Sequence, residues 1–349
     1  MKKKNIIKKL LSVVLSAATV FSLLTLPAHA IVAGEESYIT STIVSQYFCA
    51  TEQTVQFTVS NDDDMYPGTS THDFLNDAQS LQNFFNSDIE TYAIIGDDDR
   101  ITISTDPTWE MTVLILVGMD INNDFLTDKY LVGSGFLVDE NVMVTAMHSL
   151  YPYKAVEGVL DSYNTVSITV YHGISSSQVR DVDEIAYLIA GAEMAHLESV
   201  TYDPRYFTSL ETSGHNAAYD WCVVTLDNNF DSYYLDCDIA ISSLEGSLIG
   251  VAGYPDEVSP QYRFLRKIGL GEVVAYDGVI LVHDADTSKG QSGGPFMTNV
   301  LTTELVGYGI HISGTSKKDE SGKEIGIENY ARAITPEIYN TIVTIMEAS

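Results

Sequence analysis

Basic residues are scarce in this sequence. Its 349 residues hold 18 Lys and Arg against 48 Asp and Glu, a formal net charge of -30 at pH 7. So acidic a surface repels nucleic acid and anionic lipid, and neither is expected as a partner. Cysteine is scarcer still, with only Cys49, Cys222 and Cys237. Three thiols make no disulfide framework. Cys222 and Cys237 are open to pairing; alternatively Cys222, inside the apolar run WCVVTL, is a small buried hydrophobe. No CxxC and no His/Cys cluster is present, so neither a structural metal nor a cofactor is expected. The stretch DINNDFLTD begins like a calcium loop at Asp120, Asn122 and Asp124. It fails at Phe125, where Gly is required, and at Leu131, where Glu is required. A calcium site elsewhere on the surface stays open.

Long apolar runs are lacking too, with one exception. The chain starts MKKKNIIKKLLSVVLSAATVFSLLTLPAHA: lysines, an apolar run, then Ala28-His29-Ala30. That order predicts a secretory signal peptide over residues 1–30 and an extracellular protein. No later run is long enough to span a bilayer. Loss of residues 1–30 removes five Lys and no acid, which moves the formal charge from -30 to -35.

What the sequence has in quantity is short β-rich runs. From about residue 110 they include MTVLILVGM, YLVGSGFLV, VMVTAM, SITVYHG, WCVVTLD, SLIGVAGY, GLGEVVAY, VILVHDAD, ELVGYGIHISG and ENYARAI. Turn residues separate them, and that spacing predicts an all-β barrel or sandwich. The terminal PEIYNTIVTIMEA carries apolar residues at helical spacing and predicts a C-terminal helix. Residues 31–90 differ, with SNDDDMYPGTSTHD and the helical-looking FLNDAQSLQNFFN.

Three segments carry chemistry. Gly290-Gln291-Ser292 offers a hydroxyl nucleophile flanked by glycine. Gly290 is able to turn its N–H beside that of Ser292, toward an oxyanion. Gly293 and Gly294 leave room for a close approach of substrate. VMVTAMHSLY runs from a strand into a small-residue turn that presents His148, a base for the serine proton. AAYDWCVVTLD places Asp220 at the entrance of an apolar strand, where a buried carboxylate would hold the imidazole tautomer. Singly, each has an ordinary structural explanation: a glycine-rich turn, a core histidine, a turn cap. Their order is His, Asp, Ser, at 148, 220 and 292, two equal steps of 72 residues.

That order and the motifs Thr145-Ala146-Met147-His148 and Gly290-x-Ser292-Gly293-Gly294-Pro295 resemble the chymotrypsin-like serine proteases. The resemblance implies two six-stranded antiparallel β-barrels with a C-terminal helix, and a catalytic triad of His148, Asp220 and Ser292. It also implies an oxyanion hole of Gly290 and Ser292, and peptide or protein substrates cut by a monomer. Two departures narrow the group. Ser149 follows the His where trypsins carry a disulfide cysteine, and Gln291 replaces the acid that pairs with a newly freed N-terminus in trypsins. Both look like the bacterial glutamyl endopeptidases, the V8-like group. The stretch Ala93-Ile94-Ile95-Gly96-Asp97-Asp98-Asp99-Arg100 closely resembles the start of their mature Bacillus-type members. Residues 31–92 are then a propeptide and residues 93–349 the protease domain.

The resemblance also bears on specificity. Asp286, six residues before the serine, is where a trypsin holds the acid that meets Arg or Lys, which leaves a trypsin-like alternative open. Against it, Thr287 offers a hydroxyl to the pocket and His311 falls on the pocket wall. Ile312, Ser313 and Gly314 align with the strand that pairs with substrate backbone. An imidazole there would hydrogen-bond a substrate carboxylate, so cleavage after Glu, or Asp, is expected. Lys289 would add attraction at the rim, or is simply solvated. An inactive homologue that only binds is disfavoured because all three triad members are present. About 14 residues follow the last barrel strand, too few for an added peptide-binding domain.

Overall fold

The computed structural model of the protein describes residues 39–41, 57–59, 94–95, 97–103, 109–120, 129–156, 159–162, 164–174, 192–207, 217–256, 265–302, 304–318 and 324–349. The chain divides into Met1–Ser37 and Tyr38–Ser349, and all described residues lie in the second unit. The expected signal peptide, the FLNDAQSLQNFFN helix and most of the DINNDFLTD loop lie outside the described residues.

Two hairpin-like pairs, Ile39–Ser41 with Phe57–Val59 and Tyr153–Val156 with Val159–Ser162, stand apart from the main sheets. Most of the described strands form two large sheets in sequence order, antiparallel but for one short edge pair. The first holds β1 (Thr112–Asp120), β2 (Lys129–Asp139), β3 (Val142–Thr145), β4 (Asn164–His172), β5 (Glu193–Ala195), β6 (Leu197–Tyr202) and β7 (Cys222–Leu226). Its order is β5-β4-β1-β2-β3-β7-β6. The second holds β8 (Asp236–Cys237), β9 (Leu248–Gly253), β10 (Lys267–Tyr276), β11 (Ile280–His283), β12 (Pro295–Thr298), β13 (Val306–Lys318) and β14 (Glu324–Ala333). There β13-β12-β9-β10-β11-β14 runs as a path, and pairing of β14 back onto β13 closes it into a six-stranded barrel. The chain thus has the two-barrel, trypsin-like arrangement. Among the described residues the first barrel is half-open, because no ladder joins its edge strands β5 and β6. The short β8 runs parallel to β13 outside the closed barrel.

Strand β1 explains how the two halves adhere. All nine of its residues are buried. Val113, Ile115, Val117 and Met119 face the main core with Phe136, Val144 and Val224. Leu114 and Leu116, on the opposite face, join Tyr171 and the second barrel's Tyr254. An alternating strand would expose one face; β1 is apolar on both because it is covered on both. The expected C-terminal helix forms as α1 (Pro336–Ala348), with proline in its first turn and Ile338 and Ile342 buried. It packs back on β2, β3 and β7 of the first sheet. Cys222 and Cys237 are both free thiols, so the pairing left open by the sequence is not made. Burial among apolar neighbours pushes both thiols up, that of Cys237 well above the usual thiol range. Among the described residues no helix is long and apolar enough to cross a membrane, and no cluster of His, Cys, Asp or Glu is disposed to hold a metal.

Candidate active site

Two turns of the first barrel meet because their strands are neighbours. β3 pairs with β7, with Thr145 opposite Cys222. Past the end of β3 the single turn Met147–Ser149 lifts His148, and Asp220 stands just before β7, after the turn Ala217–Tyr219. Asp220 is fully buried, and its carboxylate grips His148 twice. Oδ2 lies 2.6 Å from the imidazole Nδ1, and Oδ1 accepts the His148 backbone N–H at 2.9 Å. The first contact sets the ring's tautomer, with the proton on Nδ1, and the second fixes the turn that carries it. Arg332 of β14, itself buried, donates from Nε to the Ala218 carbonyl at 2.6 Å and so ties the Asp220 turn to the second barrel.

Ser292 comes from the loop that precedes β12 and is half-buried. Its carbonyl accepts the Ser134 N–H at 2.8 Å and the Ser149 hydroxyl at 3.1 Å, so its loop is pinned beside the residue that follows His148. Its own hydroxyl reaches the Ile312 carbonyl at 3.5 Å, the outer limit of a hydrogen bond. The loop is held to β13 by Gly293 N–H to His311 O, 2.7 Å, and His311 N–H to Gly294 O, 2.9 Å.

The glycines have two uses. Gly290 sits at φ +91°, open only to glycine at low cost. Among the described residues neither its N–H nor that of Ser292 is taken by another group. Gly293, at φ +84°, corrects the sequence reading. A Cβ there would strike the Ser134 carbonyl and the Thr145 hydroxyl, and one on Gly294 would strike the Ala252 carbonyl. These two glycines admit the protein's own backbone rather than a substrate.

The specificity residues also move from their expected roles. Asp286 is 3% exposed and turns away from any substrate: Oδ1 accepts the Ile95 N–H at 2.7 Å and Oδ2 the Asp99 N–H at 3.3 Å. Burial lifts its pKa above the usual carboxylate value despite those two bonds. Asp286 is therefore one half of a clasp on residues 94–103. Gln291, wholly buried, is the other half. Its Oε1 accepts Arg100 Nη1 at 2.9 Å and the Ser288 N–H at 2.9 Å, while Asp98 holds the remaining guanidinium edge. Ile101–Thr102 then pairs with Lys267 and Ile268 of β10.

Thr287 is buried and donates its hydroxyl to Asn329 Oδ1 at 2.8 Å, and Asn329 Nδ2 donates to the Ala285 carbonyl at 2.9 Å. His311 is 3% exposed, and its Nδ1 has no hydrogen-bond partner. Burial first, then the nearby His148, push its pKa down to about 3, against a hydrogen bond with the Tyr330 backbone that acts the other way. It stands edge-on to His283 at 5.6 Å, and burial holds His283 well below its ordinary value as well. The buried His311 imidazole is thus neutral, contrary to the protonated donor that would serve a carboxylate best. Ile312 is bulged out of the β13–β14 ladder, which skips from His311 to Ser313, while Ser313 and Gly314 pair with Tyr330 and Asn329. Lys289 is half-buried and makes no ion pair among the described residues.

Sequence reasoning missed Ser134, Arg100, Asn329 and Arg332. Ser134, Asn329 and Arg332 are polar residues within apolar strand runs, and that conflict with a buried strand was the available signal; Arg100 stands beside the exposed strand Ile101–Thr102 and carried none.

No known family's sequence profile and no curated protein matches the sequence. Solved structures do match. A structure of Glu endopeptidase in complex with MPD superposes over 73% of this chain and 100% of its own, with a TM-score of 0.51 and 18% identity. At that identity the likeness establishes the fold.

Proposed function

We propose that the protein is a serine endopeptidase that cuts after Glu, or Asp, by a His148–Asp220–Ser292 triad. The observation that carries the reading is the buried Asp220 carboxylate held at 2.6 Å from His148 Nδ1, on the turn whose next residue binds the Ser292 carbonyl. In this reading His148 Nε2 takes the Ser292 proton as Oγ attacks the scissile carbonyl. The Gly290 and Ser292 N–H groups receive the oxyanion. The imidazolium then gives the proton to the leaving amine, and water repeats the cycle to free the acid. Asp220 stays ionised and stabilises the imidazolium. This division of roles is the general one for such triads.

The preference rests on which groups are committed. An Arg or Lys side chain would need Asp286, whose two oxygens serve Ile95 and Asp99. A substrate carboxylate would instead meet His311 and the Thr287–Asn329 pair. Because the backbone bond uses the single proton of neutral His311, contact at Nδ1 takes up a second proton, so binding of Glu is coupled to proton uptake. The name of the similar structure, Glu endopeptidase, agrees. We further assign residues 1–30 to a signal peptide, 31–92 to a propeptide and 93–349 to the secreted, monomeric protease. Ile94, whose carbonyl accepts the Gly326 N–H, already belongs to that fold.

The test is kcat/KM of the mature protein on matched peptides with Glu, Asp, Arg or Phe before the cut. Glu leads by at least roughly tenfold, about 1.4 kcal/mol, and His311→Ala erases the lead while hydrolysis persists. A lead for Arg would replace this reading with the trypsin-like one.

A further inference from the structure

Resting on the proteolytic reading, we propose that Ser134 is a positioning residue that holds the oxyanion hole in shape. Ser134 lies mid-strand in β2 and is fully buried. A serine inside an apolar strand usually turns its hydroxyl to a nearby backbone group of its own strand. Here all its polar atoms leave the strand. Its N–H donates to the Ser292 carbonyl at 2.8 Å. Its carbonyl accepts the Thr145 hydroxyl at 2.7 Å, from the end of the strand that leads to His148. Its hydroxyl donates to the Gly290 carbonyl at 2.7 Å and accepts the Tyr254 N–H at 2.8 Å, so its hydrogen-bonding capacity is engaged on all sides.

The Gly290 bond has a consequence for chemistry. Glycine at φ +91° tolerates the mirror conformation equally well, so nothing in Gly290 itself keeps its peptide planes in one orientation. Two carbonyls flank its Cα. That of Lys289 is held by the Asp256 N–H at 2.7 Å, which directs the Gly290 N–H the opposite way across the planar peptide. That of Gly290 is held by the Ser134 hydroxyl, and the same peptide plane is held at its other edge by the Gln291 N–H, which donates to the Ser288 carbonyl at 3.0 Å. With both planes fixed, the donor is aimed before substrate arrives. With the Ser134 bond lost, the peptide after Gly290 keeps only the Gln291 bond, so the aim of the Gly290 N–H relative to that of Ser292 is less tightly fixed. Ser134 touches no reacting atom; it acts through Gly290.

The experiment compares wild type, Ser134→Ala, Ser134→Thr and Ser134→Val as mature proteins, with active sites titrated and folding checked by circular dichroism. The readouts are kcat and KM on a peptide anilide ending in Glu, and inhibition by the corresponding peptide boronic acid, whose tetrahedral adduct places an oxygen in the hole. Ser134→Ala is expected to lower kcat about 10- to 100-fold, short of the ~10²–10³-fold for deleting a donor outright. KM should change less than about threefold, and boronate inhibition should weaken in step with kcat/KM. Thr and Val share a shape, so Ser134→Thr exceeding Ser134→Val in kcat by at least about fivefold isolates the hydroxyl even if both pack poorly. Equal kcat in the Thr and Val variants, or losses confined to KM or to the titrated fraction of folded sites, overturns the role. Wild-type turnover is the separate check on the proteolytic reading. Without it both fall; with it and an unchanged Ser134→Ala, only this inference does.

Discussion

Replacing Asp286 by Ala separates a clasp from a specificity carboxylate. The side chain is 3% exposed and accepts two backbone N–H bonds, from Ile95 at 2.7 Å and Asp99 at 3.3 Å. Removing it leaves two donors without partners in a nearly dry site, at about 1–3 kcal/mol each, or roughly 2–6 kcal/mol in all. For a domain of this size each kcal/mol is worth about 2–4 °C, so Tm should fall by at least roughly 4 °C. Asp286→Asn keeps one acceptor oxygen, enough for the shorter bond to Ile95, and should lose about half as much. Differential scanning calorimetry gives Tm, and the four-peptide panel gives specificity. The Glu lead should survive in whatever fraction stays folded, and cleavage after Arg should remain poor before and after. The reasoning fails if Asp286→Ala leaves Tm within a degree and selectively abolishes cleavage after Arg, because the carboxylate would then face substrate.

His311 predicts a pH dependence of stability. Its pKa is pushed down from 6.5 to about 3, so the unfolded chain binds the proton more tightly; the contribution is present above pH 6.5 and drains away as pH falls toward about 3. One such group steepens the stability–pH curve by ~1.4 kcal/mol per pH unit, to an upper limit of ~4–5 kcal/mol; urea unfolding of His311→Phe between pH 3.5 and 6.5 should be flatter by that slope, and an unchanged slope refutes the assignment. Proton uptake with Glu implies that the ratio of kcat/KM for Glu over Phe peptides declines as pH rises from 5 to 9, whereas a flat ratio means the carboxylate meets an existing proton. Gly293→Ala meets both a positive φ and two occupied neighbours, so a loss of at least ~2 kcal/mol is expected in chemical denaturation, with near-native stability as the contrary result. N-terminal sequencing of the secreted, fully active protein should give a start at or near Ala93; Ile31 as the start would remove the propeptide.

The strands were legible because turn residues punctuate apolar runs, and α1 because its apolar residues recur at helical spacing. Every run named from the sequence after residue 110 contains or overlaps a strand or, for the last, forms the helix. The openness of the first barrel was not legible, because ladder closure depends on which edges meet and not on any one strand's pattern. His148 and Asp220 could be anticipated as partners from their order and types, and their turns do meet through the β3–β7 pairing. Asp286 stayed ambiguous in the sequence because residue type at a position says nothing of direction: the same carboxylate serves a substrate or a backbone segment depending on what lies over it. His311 was placed on the right strand, but its protonation depends on three-dimensional burial and on His148 nearby. Ser134 was hidden because its partners lie far along the chain, 156 residues away at Gly290 and 120 at Tyr254.

The central claim is that Ser292, activated by His148, is the nucleophile. A fluorophosphonate label on the mature protein, followed by peptide mass mapping, tests it most directly. The account predicts one phosphonyl adduct, on Ser292, forming at least roughly a hundredfold more slowly in His148→Ala and absent in Ser292→Ala, which also loses nearly all turnover. Labelling of a different residue, or a folded Ser292→Ala protein that keeps as much as about a tenth of wild-type hydrolysis, would contradict it.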